Sequence, residues 1–552
     1  MLDLQIRWDE SIGLFYLDPD KKGHTLDNFG KKNLHAIPDS VSYLLYAAQT
    51  ERLQEIDIQA ILKNIKNCQF HDGERRGQIK WFLEDQDKSD TNAPFFICVG
   101  LIPLKKYFAL ALGKSNLSLL DDILAETRYY FLHKVRLGGC YYPNSYMGDL
   151  LFAWLLNEIY GDKTAEKELQ RYLKYSAKYW LDKHWGWGEH LSDGYAKVCC
   201  FELSMFLLMA IKLPDQIRTL YTRALQQLLD IEDLYGGKPR VPTIRSYAFE
   251  TSPKQTTFRS SIRPWKRDEK VLISNLPPIA PLLHKLGWQN LLTAAIPAPS
   301  EIKIPCFNRN FASAYILPDF RLGAMNRFPI MESTSYLPWQ CFPVAFLHDQ
   351  GDWGFLQWNS EEDGSCFSHP CHSKDYDIDR GLSRKVRPPI CGRTFSIRQK
   401  NQLLVLRHMP SLSMAWNRFA DRLRIVNPSA TFTEKQLSPN CSTIDFQWPT
   451  GRTLSIARIS FSDTPKHRPV IQKNNFLDWE LEYQEFPNMN ETASLWAFAI
   501  DETINTVPKL DFATMRYRPF DPECRPFTLK WQIGKQFWHL QVDPARQIFR
   551  SR

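Results

Sequence analysis

Nowhere in this 552-residue chain do about eighteen apolar residues run together, so no membrane-spanning helix is expected. The start, MLDLQIRWDESIGLFYLD, has no basic stretch followed by an apolar one. No secretory signal is read there, and a cytoplasmic location is expected. No run of five lysines or arginines accompanies the formal net charge of +8, and no nucleic-acid motif is present. Nucleic acid and membrane are therefore not expected partners. The twelve cysteines, from Cys68 to Cys524, show no short repeating spacing. That excludes a disulfide scaffold in a chain this long and fits reduced thiols. GxGxxG ahead of a helix, a phosphate-binding P-loop, a GxSxG elbow and HExxH are all absent. Cys366, His369, Cys371 and His372 stand close together in CFSHPCH, but their spacing matches no common zinc site. Neither metal nor cofactor is expected.

What is present is a globular composition, 43% hydrophobic and 24% charged, at a length that suits about two to four domains. Its texture changes once. From Asp39 to about residue 296, apolar residues recur at helical spacing in segments such as DSVSYLLYAAQTERL, IDIQAILKNIKN and TAEKELQRYLKYSAKYWLDK. No strand pattern alternates with them, which excludes a βαβ fold and predicts stacked helical hairpins, an (α/α) toroid or solenoid. After IPAPSEIKIP the segments are short, aromatic and β-branched, and bounded by Pro, Gly, Asn or Asp. QLLVLRHM, RTLSIARISF and ASLWAFAID predict an antiparallel β-sandwich. The expected organisation is a helical domain over 1–298 and a β-sandwich domain over 299–552.

Five stretches carry candidate chemistry. The most informative is His184–Lys197, HWGWGEHLSDGYAK, where three glycines exclude a packed helix. Trp185 and Trp187 there suit the apolar faces of sugar rings, and Glu189, His190, Asp193 and Tyr195 suit proton transfer. A second stretch, Arg76–Asn92, holds Arg76, Trp81, Asp90 and Asn92 ahead of a long apolar helix. Asp90 or Asn92 is also a good N-cap there. The third, CYYPNSY, sets Tyr142, Asn144 and Tyr146 at a helix mouth, where they line a sugar groove or form a cap and staple. The fourth, KPRVPTIRSY, brings Arg240 and Arg245, whose guanidinium groups can hold carboxylates bidentately, and Tyr247, whose phenol can shuttle a proton. The fifth lies in the β half, where Gln340 and His348 flank a strand pair; Trp353 and Trp358 nearby read as core.

The order of these motifs, RGxxxW…D-x-N-A, Y-x-N-x-Y, GEHLSDGYA, PxIRSY, PDFRLG and WQxFPVAF…WGFLQW, resembles the heparinase II/III-like group of polysaccharide lyases. That resemblance implies an (α/α) toroid joined to a β-sandwich, and β-elimination at a uronic acid. The elimination needs a neutralised carboxylate, a base for the C5 proton and an acid for the leaving oxygen. The group's usual Asn-His pair in one short motif is absent, which leaves the neutraliser open between Asn92 and Arg245. His190 is the implied base and Tyr195 the implied acid, or both in one. Trp185 and Trp187 would be sugar platforms, with Trp81, Tyr142, Asn144, Tyr146 and Tyr247 along the groove. Arg76 and Arg240 would hold further acidic groups, with Gln340 reaching in from the β half. The expected partner is thus an acidic polysaccharide or oligosaccharide. Two other readings stand beside the lyase. One is a glycoside hydrolase using Glu189 with Asp90 or Asp193; the other is a non-catalytic glycan-binding protein.

Overall fold

The computed structural model describes the chain apart from residues 1–6, 20, 87–89, 187, 247, 249–250, 254–257, 263–278, 293, 332–339, 363–364, 367–375, 378–381, 384–391, 410–417, 462–464, 474, 484–491, 514–525, 545 and 552. Trp187, Tyr247, His369, Cys371 and His372 lie outside the described residues. The chain forms a helical N-terminal region followed by multi-stranded antiparallel sheets, as the pattern of its sequence predicts.

The helices alternate in character along the chain. Ala93–Tyr107, Pro143–Tyr160 and Asp193–Met209 are buried on most of their faces. Ile58–Asn67, Lys163–Asp182 and Asp215–Leu234, which come between or beside them, bury one stripe only. A helix that is apolar all round belongs inside, and one with a single apolar stripe belongs on the rim. The alternation is that of hairpins pairing an inner with an outer helix. Local chemistry sets the ends. Asp57 accepts from Ala60 N and Asp162 from Thr164 N and Ala165 N, while Pro143 opens its helix and left-handed Gly161 closes it. No helix among the described residues is long and apolar enough to cross a membrane.

Among the described residues the β region has three layers, of ten, seven and four strands. A ten-stranded sheet runs through Phe311–Ile316, Phe320–Met325, Val344–His348, Trp353–Glu362 and Arg418–Val426. A seven-stranded sheet contains Gln402–Met409, Thr453–Ser460 and Thr492–Ile500, and a four-stranded sheet contains Phe527–Ile533 and Gln536–Asp543. The seven-stranded sheet is the middle layer. Trp496, Phe498 and Ile500 face the ten-stranded sheet, with Phe346 and Leu356 in the same core. Leu495, Ala497 and Ala499 face the other way, packed with Leu529, Trp531 and Trp538. A strand covered on both faces must be apolar at every position, which is why ASLWAFAI shows no polar alternation. Thr431–Ser438 at the sheet edge reads TFTEKQLS and is mostly exposed; with no apolar alternation it gave no strand signal.

Two compact units result. One comprises Met1–Gly186, Tyr195–Asp233 and Thr256–Ile296; the other comprises Trp187–Gly194, Leu234–Gln255 and Pro297–Arg552. Two stretches from before residue 298 therefore belong with the sheets. Val241 and Ala248 join Phe342, Ala345, Leu347, Trp353 and Phe355 in an apolar cluster on the ten-stranded sheet. A Cβ on Gly323 would lie 2.3 Å from the Val241 carbonyl oxygen, so only glycine lets this segment settle so closely.

Candidate active site

In the helical unit the geometry centres on Asn92. It occupies the cap position of Ala93–Tyr107, yet its side chain makes no cap hydrogen bond. The backbone around it is pinned by others. Asp90 Oδ1 accepts from Asn92 N at 2.8 Å, and Tyr130 donates to the Thr91 carbonyl at 2.6 Å. The Asn92 amide is held from the start of Pro143–Tyr160, where Ser145 donates to Oδ1 at 3.2 Å. That bond turns the Nδ2 donor end away, and among the described residues Nδ2 has no recorded partner. The second and third stretches thus meet. Asp90 Oδ2 lies 3.4 Å from His24 Nε2, and the His24 ring stands edge-on to half-buried Trp81 at 4.5 Å.

The inner helices are joined just behind this point. A Cβ on Gly148 would lie 2.4 Å from the Phe95 ring and 3.2 Å from Glu202 Oε1. The missing side chain at Gly148 lets the opening turn of Ala93–Tyr107 and the buried Glu202 carboxylate of Asp193–Met209 close on the same helix. Half-buried Tyr142 and Asn144 lie at the mouth of Pro143–Tyr160, and half-buried Tyr195 lies in the first turn of Asp193–Met209. Beside Gly148, burial pushes the Asp149 carboxyl up to about 7, against a smaller opposing pull from Lys134.

Two expected residues are committed elsewhere. Arg76 grips Glu126 with Nε and Nη2 at 2.8 and 2.9 Å and lies over the Tyr129 ring, so it serves a surface ion pair and not a carboxylate of substrate. Tyr146 is buried and donates to the Val135 carbonyl at 3.2 Å; it is core, not groove.

The glycine-punctuated stretch passes through both units. His184, Trp185 and Gly186 all have left-handed backbone (φ 48°, 64° and 56°), and Gly188 follows at 102°. For the two non-glycine residues this costs about 1–2 kcal/mol each. The turn is tight against its neighbours, since a Cβ on Gly186 would lie 2.5 Å from the Tyr141 carbonyl oxygen. Trp185 corrects its expected role. It is fully buried, stacked parallel on Trp180 at 6.0 Å, with its indole N–H donated to Gln227 at 2.9 Å. Both faces and the polar tip are in use within the core, so it is no sugar platform.

Between residues 188 and 194 the same stretch lies in the β unit, where it forms a buried polar network with the fourth and fifth stretches. Arg245, itself left-handed at φ 57°, sets Nε 3.6 Å from Glu189 Oε1 and donates through Nη1 to Gln340 Oε1 at 2.8 Å. Ser192 donates to the Arg245 carbonyl at 2.8 Å, and Thr243 to the Leu191 carbonyl at 2.9 Å. Arg240 binds Asp193 through its backbone N–H at 3.1 Å and its guanidinium at 3.3 Å. His190 Nε2 lies 3.0 Å from the Pro305 carbonyl. A carbonyl only accepts, so Nε2 carries the hydrogen.

This network revises several roles. Glu189 and His190 are 0% and 1% exposed. Arg240, Arg245 and Gln340 are buried as well. They hold two loops together and are largely withdrawn from solvent. His348 is also buried, stacked on Trp448 at 4.9 Å, and burial holds its imidazole below the usual range. Ser145, His24 and Asp149 were not anticipated. Ser145 sits in the quoted Y-x-N-x-Y motif, which was the available signal. His24 comes from a segment without periodicity and left none. Among the described residues no group of three or more His, Cys, Asp or Glu is placed to hold a metal ion.

No family model matches the chain, and no curated protein matches it. The chain is similar to heparinase III. Against one solved heparinase III structure the TM-score is 0.46 with 10% identity, over 97% of this chain and 88% of that one. Against a second the TM-score is 0.38 with 9% identity, over 91% and 84%. Neither assigns a role to any residue here.

Proposed function

We propose that this protein is a lyase that cleaves a uronic-acid-containing glycan by β-elimination, with Asn92 neutralising the uronate carboxylate and Tyr195 transferring the proton. The observation that carries this reading is the Asn92 side chain. It stands at a helix start without capping it, and Ser145 fixes its oxygen so that its N–H groups face away. A helix N-terminus already favours an anion. An amide donor held there suits a carboxylate that must bear more charge as its α-proton leaves. Tyr195 is half-buried in the same unit, in the first turn of Asp193–Met209. A phenol can take the C5 proton as phenolate and return it to the glycosidic oxygen as phenol, so one group serves both steps. Trp81 and Tyr142, both half-buried in the same unit, would line the path of the sugar.

Burial tells against the hydrolase reading. Glu189 is fully buried beside Arg245, whereas a general acid must reach the glycosidic oxygen of a bound sugar. The test is a panel of uronate polymers followed by the far-UV absorbance of the unsaturated product. Wild type should raise that absorbance on at least one polymer, and Tyr195→Phe should lower turnover by about a hundredfold or more. Reducing ends appearing without absorbance would replace elimination by hydrolysis. Near-normal turnover in a folded Tyr195→Phe variant would remove Tyr195 from the chemistry.

A further inference from the structure

The outer helix Lys163–Asp182 buries Ala165, Leu169, Leu173, Ala177 and Trp180 along one stripe. Its opposite face carries Lys163, Lys167, Arg171, Lys174 and Lys178, all exposed. At 3.6 residues per turn these five fall within an arc of roughly 80° and span roughly 22 Å of helix. An ordinary solvated helix face mixes signs, because like charges three or four residues apart repel. Here none of the five has a recorded ion pair among the described residues, although carboxylates are at hand. Asp162 is used in the N-cap and on Arg128, Glu168 on Arg136 and Tyr172, and Glu166 accepts from Gln170. Asp182 closes the stripe at its C-terminal end.

Aromatic rings flank the cations. Tyr175 is 62% exposed and stacks on Tyr179, with centroids 6.4 Å apart and planes 29° apart. At the C-terminal end Trp180 donates to the Cys140 carbonyl at 2.7 Å. That bond docks the loop bearing exposed Tyr141, which leads through Tyr142 into the helix start at Asn144 and Ser145, the partner of Asn92.

We propose that this face is a second glycan-binding surface, a cationic and aromatic track that holds an acidic polysaccharide chain and leads it toward the Asn92 loop. The regularly spaced cations complement a polymer with regularly spaced carboxylates, and the tyrosine pair offers flat faces to sugar rings. The choice of occupant rests on the acidic-glycan reading above; the surface itself does not depend on turnover.

The experiment compares full-length wild type, the triple variant Lys167→Glu/Lys174→Glu/Lys178→Glu, and Tyr175→Ala. The probes are alginate, polygalacturonate and single-stranded DNA at low and high salt, with melting curves to verify folding. The triple variant should bind one uronate polymer about tenfold or more weakly at low salt, and the gap should narrow as salt screens the charges. Tyr175→Ala should weaken binding at both salt levels, since stacking is not screened. Short uronate oligosaccharides should be turned over as by wild type. Weakened polymer binding together with no turnover on any uronate would uphold the surface and remove the catalytic reading. Polymer binding unchanged in both variants would overturn the proposal. So would DNA bound as tightly as the glycans and lost in parallel, which would mark a general polyanion face.

Discussion

Replacing Asn92 by Asp separates catalysis from structure by giving the two effects different sizes. The carboxylate is nearly isosteric and can still accept from Ser145, whose bond to Oδ1 is 3.2 Å long. No cap hydrogen bond is lost, because none exists, whereas an ordinary cap residue contributes about 1 kcal/mol. The new negative charge sits at a helix N-terminus, a gain of about 0.3–1 kcal/mol. Asp90, whose carboxylate accepts from Asn92 N at 2.8 Å, repels it and works against that gain. Net stability should therefore stay within about 0.5 kcal/mol of wild type. Turnover should not. On the proposed role, a donor becomes an anion facing the substrate carboxylate. Losing one preorganised donor at a developing charge costs about 3–4 kcal/mol, or a factor of about 100–1000, and the added repulsion pushes the loss further. Asn92→Ala should lose about the same factor without the repulsion. Initial rates from unsaturated-uronate absorbance, with melting curves on the same preparations, read both effects. An Asn92→Asp enzyme that melts like wild type and turns over within about threefold of it would refute the role given to this amide.

Three further outcomes follow from burial. Arg245→Gln leaves the Glu189 carboxylate buried without its guanidinium and should cost about 3–5 kcal/mol in chemical denaturation; a loss under about 1 kcal/mol would show that the pair does not hold the loop. Trp185→Ala removes a fully buried indole and should cost about 3–5 kcal/mol, and a variant with wild-type stability but impaired sugar binding would restore the platform role set aside above. Asp149 has its folded pKa raised from 3.8 to about 7 by burial. The neutral form is the one the fold favours, so this contribution is full below about pH 4 and is lost as pH rises to about 7. Asp149→Asn should match wild type at pH 4 and exceed it at pH 8 by up to about 4 kcal/mol, at about 1.4 kcal/mol per pH unit between. A pH-independent difference between the two proteins would place the cause elsewhere.

Much of the architecture was legible in the chain itself. The shift from helical spacing to short aromatic strands near residue 300 follows from periodicities of 3.6 and 2, which are local properties of the backbone. Asn92 stood out as a candidate, because an amide ahead of an apolar helix is conspicuous whether it caps or binds. What local pattern could not distinguish was the fate of each polar tip. Trp185, Glu189, His190 and Arg245 look like site residues on chemistry alone, and three of the four stand within six positions. Only the fold decided that the indole stacks on Trp180, that the carboxylate meets Arg245 from fifty-six residues on, and that the imidazole meets the Pro305 carbonyl. Burial depends on which distant segments cover a residue, and that information is spread over the whole chain. Residue types and their spacing set the secondary structure and the candidates. Long-range packing alone decided which candidates face solvent and which are spent on holding the loops.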